Sequence, residues 1–117
     1  MQKVLVVDDD PDILTVVSLL LKTHGFEVET VQNAAGTIET VYKFLPEIIL
    51  LDISLSGYDG REICTQLKSL EDLKHIPIVL FSATPNINYK VCDASDFIRK
   101  PFDATEMVNV LRKHLKS

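Results

Sequence analysis

Three groups of residues in this chain stand where apolar runs stop abruptly. Asp8-Asp9-Asp10 follows Val4-Leu5-Val6-Val7, Asp52 follows Ile48-Ile49-Leu50-Leu51, and Lys100 lies just beyond Phe97-Ile98. Short continuous runs rich in Val and Ile read as strands buried on both faces of a parallel sheet, and such sheets hold ligands just outside the carboxyl ends of their strands. The carboxylates and the lysine are therefore expected to meet. Carboxylates brought together raise one another's pKa unless a cation neutralises them. Their hard oxygen atoms suit Mg²⁺, which takes one or two protein carboxylates, keeps several waters and completes its shell with phosphate oxygens. A phosphoryl group is thus expected close by. Asp52, alone at its strand end, then reads as a nucleophile that forms an aspartyl phosphate, with the metal on one side and the Lys100 ammonium on the other. Ser82, at the end of the run 76–81, offers a hydroxyl donor to another phosphate oxygen.

Each residue also has an ordinary structural role. Asp10 before Pro11 is a helix cap, an aspartate after a strand closes a turn, a lysine before proline is a loop residue, and Ser82 suits a turn. The chemical reading rests on four such residues arriving in order on four strand ends.

Strand and helix patterns alternate along the whole chain, the signature of an α/β fold. Strands are expected at 3–7, 26–31, 47–51, 76–81 and around Phe97-Ile98. Asp10 and Pro11 open a helix whose apolar face is Ile13, Val16, Val17, Leu20 and Leu21, stopping at His24-Gly25. Asn33 is expected to cap a helix carrying Ile38, Val41, Tyr42 and Leu45, ended by Pro46. Asp59 with Glu62, and Asp103 with Glu106, have the capping-box spacing before two further helices. The last presents Met107, Val110, Leu111 and Leu115 inward. Only thirteen residues, Ser82 to Ala94, join the fourth strand to the fifth, close to the minimum for a crossover. Pro85, Asn86 and Asn88 lower helicity further, so the segment from Pro85 to Cys92 is expected to hold at most about two turns.

At 117 residues the chain is expected to form one domain, 1–117. A hydrophobic content of 46% with 25% charged residues is that of an ordinary globular protein, and no apolar stretch is long enough to span a membrane. Met1-Gln2-Lys3 runs directly into the first strand, so no signal peptide is expected. Cys64 and Cys92 match no metal spacing and fit a reducing compartment, and Cys64 reads as a core residue on one face with Ile63, Leu67 and Leu70. A net charge of −5 argues against a nucleic-acid surface. The basic residues near the carboxyl end complement the last turn of a helix.

Four segments, in this order and spacing, carry a resemblance: Val-Val-Asp-Asp at 6–9, Leu-Leu-Asp-Ile at 50–53 followed by Gly-Tyr-Asp-Gly at 57–60, Phe-Ser-Ala at 81–83, and Asp-Phe-Ile-Arg-Lys-Pro-Phe at 96–102. The chain resembles a receiver domain of a two-component response regulator, of the CheY-like superfamily. The resemblance implies a flavodoxin-like, doubly wound five-stranded parallel sheet of order 2-1-3-4-5, here with a shortened fourth helix. It implies that Asp52 accepts a phosphoryl group from a sensor histidine kinase or histidine phosphotransfer protein. Asp9 and Asp52 would ligate Mg²⁺ directly, Asp8 through water, and the main-chain carbonyl of Ser54 would complete the protein's share. Ser82 would be the switch hydroxyl, Lys100 the phosphate partner, and Phe97 the aromatic that swings inward on activation. Lys100-Pro101 would be cis. The resemblance further implies a cytoplasmic signalling domain that promotes its own phosphorylation and dephosphorylation without being an enzyme on other substrates. It leaves room for a weak homodimer, with an output partner the sequence does not identify.

Three departures stand out. Leu55-Ser56 occupies a place where many members carry Met-Pro, removing a proline restraint. Phe97 lacks the hydroxyl of a tyrosine, so a switch there rests on packing alone. The short crossover thins the face that members use for output. Among other classes, an Asp-nucleophile phosphatase is suggested by Asp8-x-Asp10, but Asp12 stands where such enzymes carry an apolar or threonine context. A flavodoxin would place a phosphate against Asp8-Asp9-Asp10-Pro11-Asp12, which repels it. The remaining alternative is a receiver-fold interaction module that does not signal by phosphorylation.

Overall fold

The computed structural model describes residues 2–55, 57–83 and 92–115. The elements run β1 (Lys3–Val7), α1 (Pro11–Thr23), β2 (Glu27–Val31), α2 (Thr37–Phe44), β3 (Ile48–Asp52), β4 (Ser54–Leu55), β5 (Tyr58–Asp59), α3 (Gly60–Ser69), β6 (Ile78–Ser82), β7 (Asp96–Arg99) and α4 (Ala104–His114). A five-stranded parallel sheet has the order β2-β1-β3-β6-β7. Counting only these long strands, the order is the expected 2-1-3-4-5. The expected fourth helix, from Pro85 to Cys92, falls almost wholly outside the described residues.

Strand alternation sorts the sheet into two cores. Leu5, Val7, Ile49, Leu51, Ile78 and Leu80 face Val41 of α2 and Ile63, Cys64 and Leu67 of α3. Val4, Val6, Ile48, Leu50, Val79, Phe81 and Ile98 face Leu14, Val17 and Leu21 of α1 and Met107, Val108 and Leu111 of α4. β3 and β6 are buried along their whole lengths because helices cover both faces, which is why their sequences show no polar alternation.

Three of the four helices described begin where expected. Asp10, Asp59 and Asp103 each accept a hydrogen bond from a first-turn N–H, of Asp12, Arg61 and Glu106 respectively. α2 differs. Asn33 does not cap it; its side-chain oxygen accepts from the Gly36 N–H at 3.0 Å and its carbonyl accepts from the Thr37 hydroxyl at 3.0 Å. The asparagine is consumed in closing a turn, and the helix starts only after Gly36, with no side-chain cap. α2 also ends earlier than expected. Leu45 adopts φ 53°, forced out of the helical region ahead of Pro46, and is exposed instead of lying on the apolar face. Tyr42 turns outward too, its hydroxyl donating to Asp72 at 3.1 Å. In α1 it is Leu14, Val17 and Leu21 that are buried, whereas Val16 faces solvent.

The two cysteines, distant in sequence, meet in the core, where the Cys64 thiol donates to the Cys92 carbonyl at 3.1 Å. Burial, and then the Cys92 thiol, push the Cys64 thiol well above its usual range. No helix among the described residues is long and apolar enough to cross a membrane.

Two local devices fix the loop after β3. β4 and β5 form a two-residue antiparallel hairpin, pairing Ser54 with Asp59 and Leu55 with Tyr58, and Gly57 at φ 67° supplies the conformation the turn needs. Gly60 then lies against the end of β3, its N–H donating to the Ile53 carbonyl at 2.7 Å. A Cβ at Gly60 would collide with the Asp52 carbonyl, so only glycine lets α3 begin this close to the strand end.

Candidate functional site

The parallel register brings the strand ends to one edge of the sheet. Val7 pairs with Leu51 and Asp52 with Phe81, while Ser82 pairs with Arg99. The ladder continues one step further, the Lys100 N–H donating to the Ser82 carbonyl at 2.9 Å. Asp52 and Ser82, the last residues of β3 and β6, and Asp8, Asp9 and Lys100, just past β1 and β7, therefore share one edge, as their order in the sequence suggested.

The carboxylates converge. Asp8, Asp9 and Asp52 each offer an oxygen within 4.8 Å of the others. Asp8 and Asp52 are buried, and Asp9 is half-buried. Lys100 reaches in from just past β7, across the end of β6, its Nζ 2.8 Å from Asp8 Oδ2 and 3.6 Å from Asp52 Oδ2. The second Asp8 oxygen accepts from the Asp10 N–H at 2.9 Å, and Asp52 Oδ1 accepts from the Ser54 N–H at 3.2 Å. Asp10 itself stays outside the cluster, because its side chain caps α1.

Charge in this cluster is undercompensated. Burial raises the Asp52 carboxyl from its ordinary 3.8 to about 6, and the neighbouring Asp8 adds to the rise. The Lys100 ammonium and the Ser54 N–H pull in the other direction without cancelling it, and Asp9 contributes a smaller increase. Among the described residues Lys100 is the ammonium that pairs with Asp8 and Asp52, and three carboxylates gathered at the end of buried strands fit a small divalent cation with hard-oxygen preference, which would relieve their repulsion.

Two further expected residues lie on β6 and β7. Ser82 is buried at the carboxyl end of β6, on the same edge. Phe97 is half-buried and packs against the α2–α3 core, across the sheet from the α1–α4 core that holds Phe81 and Ile98. The Lys100-Pro101 peptide is cis. A residue that sequence reading passed over also belongs here: the Phe81 ring lies under the Lys100 ammonium, 4.7 Å from Nζ to its centroid. Phe81 closing the fourth apolar run just before Ser82, with Lys100 just past the fifth, was the signal available in the sequence.

The sequence profile of the response regulator receiver domain matches residues 4–112. That span contains every residue of the cluster. The chain belongs to the response regulator receiver family.

Solved structures agree. A chemotaxis protein of Vibrio cholerae is 26% identical with a TM-score of 0.92, over 98% of this chain and 99% of that one. The receiver domain of NtrX from Brucella abortus is 32% identical with a TM-score of 0.86, over 96% of this chain and 97% of that one. The signal receiver domain of a signal transduction histidine kinase from Syntrophus aciditrophicus is 26% identical with a TM-score of 0.89, over 98% and 90% of the two chains. Receiver domains are phosphoacceptor signalling domains of two-component systems. Family membership sets aside the phosphatase and flavodoxin readings, and the fold is the flavodoxin-like one the motifs implied.

Proposed function

We propose that this receiver domain accepts a phosphoryl group on Asp52 in a Mg²⁺-dependent reaction, from a sensor histidine kinase or histidine phosphotransfer protein in the cytoplasm. The observation that supports this most is the undercompensated acid cluster around Asp52. Asp9, Asp52 and the Ser54 carbonyl would hold the ion, with Asp8 reaching it through water. Bound there, Mg²⁺ supplies charge neutralisation and a template for phosphoryl oxygens.

The remaining work falls to side chains. An Asp52 carboxylate oxygen attacks phosphorus, forming a P–O bond as the bond to the donor's imidazole nitrogen breaks and the leaving nitrogen keeps the electron pair. Lys100, 3.6 Å from Asp52 in the resting state, faces the charge that develops on the transferred group. Ser82 is the hydroxyl that follows the phosphoryl group, and Phe97 the aromatic that moves inward behind it. Such a domain, spanning residues 1–117, promotes its own phosphorylation and dephosphorylation.

Incubation with acetyl phosphate and Mg²⁺ is expected to add a single phosphoryl mass to the intact protein, and a chelator is expected to prevent it. Absence of any adduct under both conditions would instead make the chain a receiver-fold interaction module.

A further inference from the structure

Among the described residues, three hold the Lys100 ammonium. Two are the carboxylates of Asp8 and Asp52, at 2.8 and 3.6 Å. Both are groups that a divalent cation or a phosphoryl group engages, so both contacts weaken when the site is loaded. The third is the face of Phe81, 4.7 Å from Nζ to the ring centroid. A phenyl ring carries no titratable proton and offers no ligand atom to a hard cation, so neither metal nor phosphoryl group competes with Lys100 for this contact.

The ring is also rigidly placed. Phe81 is wholly buried in β6 and is the register neighbour of Asp52 across the β3–β6 ladder. Phe102 meets it edge-on, with centroids 5.7 Å apart and planes at 64°. The ammonium above it is largely desolvated, its side chain 19% exposed, the setting in which attraction between a cation and a ring face is strongest.

We propose that Phe81 is a positioning residue for Lys100, its ring holding the ammonium beside the acceptor carboxylate when Asp8 and Asp52 turn to the metal. This rests on the phosphoacceptor reading of Asp52 for its kinetic consequence, but the contact itself does not.

Replacing Phe81 with mono-, di- and trifluorophenylalanine keeps the shape close to native while draining negative potential from the ring face. The phosphorylation rate with acetyl phosphate is expected to fall stepwise, by roughly three- to tenfold across the series. In a Lys100→Ala background the series is expected to be flat. Proton NMR of the metal-free, unphosphorylated protein reads the contact independently: the Lys100 ε-methylene protons are expected well upfield of ordinary lysines, and at ordinary positions in Phe81→Leu. A flat series with Lys100 present, an equal slope without it, or ordinary ε-proton shifts in the native protein would each overturn the proposal. If the native protein takes up no phosphoryl group, the functional reading fails while the NMR still decides this contact.

Discussion

Lys100→Ala is expected to destabilise the metal-free protein by about 3–5 kcal/mol at neutral pH, the usual cost of leaving a buried charge without its partner. Asp8 is fully buried and pairs with Lys100 at 2.8 Å. Without the ammonium, Asp8 keeps the Asp10 N–H but loses the cation that stands between it and the Asp52 carboxylate. Two rescues are expected. Lowering the pH should recover part of the loss, because protonation of Asp52, whose carboxyl is raised to about 6 in the native protein, removes one of the repelling charges. Saturating Mg²⁺ should recover it too, and should bind the variant at least as tightly as the native protein, since a competing positive charge is gone. Urea unfolding midpoints with and without Mg²⁺ check both. A variant as stable as the native protein without metal, or one that no longer binds Mg²⁺, would contradict the division of roles between lysine and acids.

Asp52→Asn is expected to act in the opposite sense, stabilising the metal-free protein at pH 7. Folding raises the Asp52 carboxyl from 3.8 to about 6. Between those values the folded state holds a proton that the unfolded state has released, so stability falls as pH rises through the window. The gap corresponds to roughly 3 kcal/mol lost by pH 7 and fully regained below pH 4. Asparagine carries no such proton, so the variant's advantage should be large at pH 7 and shrink as pH falls through 6 towards 4. The acceptor is thus held at a cost in stability that metal binding relieves. Chemical denaturation of both proteins at several pH values, in chelator, tests this, and parallel profiles would refute it.

The parts of this structure legible in the sequence are those set by local chemistry. Continuous apolar runs marked the central strands because both faces of the sheet are covered. Asp10, Asp59 and Asp103 marked helix starts because a short carboxylate before a helix has one use there. Strand-end placement then made the acid cluster and Lys100 readable together. What escaped was decided between elements. Between His24 and Pro11, α1 is apolar nearly all round, with Ile13, Leu14, Val16, Val17, Leu19, Leu20 and Leu21, so periodicity could not choose which residues face the sheet. Asn33 and Gly36 compete to begin α2, and the asparagine's turn prevails. The β4–β5 hairpin is too short for any pattern. The meetings of Cys64 with Cys92 and of Phe81 with Lys100 join positions that only the sheet order brings together.

The site of phosphorylation is the most direct point of test. Protein treated with acetyl phosphate and Mg²⁺, then reduced with borohydride, converts a phosphorylated aspartate to homoserine, which peptide sequencing locates. Homoserine at position 52, abolished by chelator and absent from Asp52→Asn, is the expected result. Homoserine at Asp8, Asp9 or elsewhere, or undiminished labelling of Asp52→Asn, would contradict the assignment of Asp52 as the acceptor.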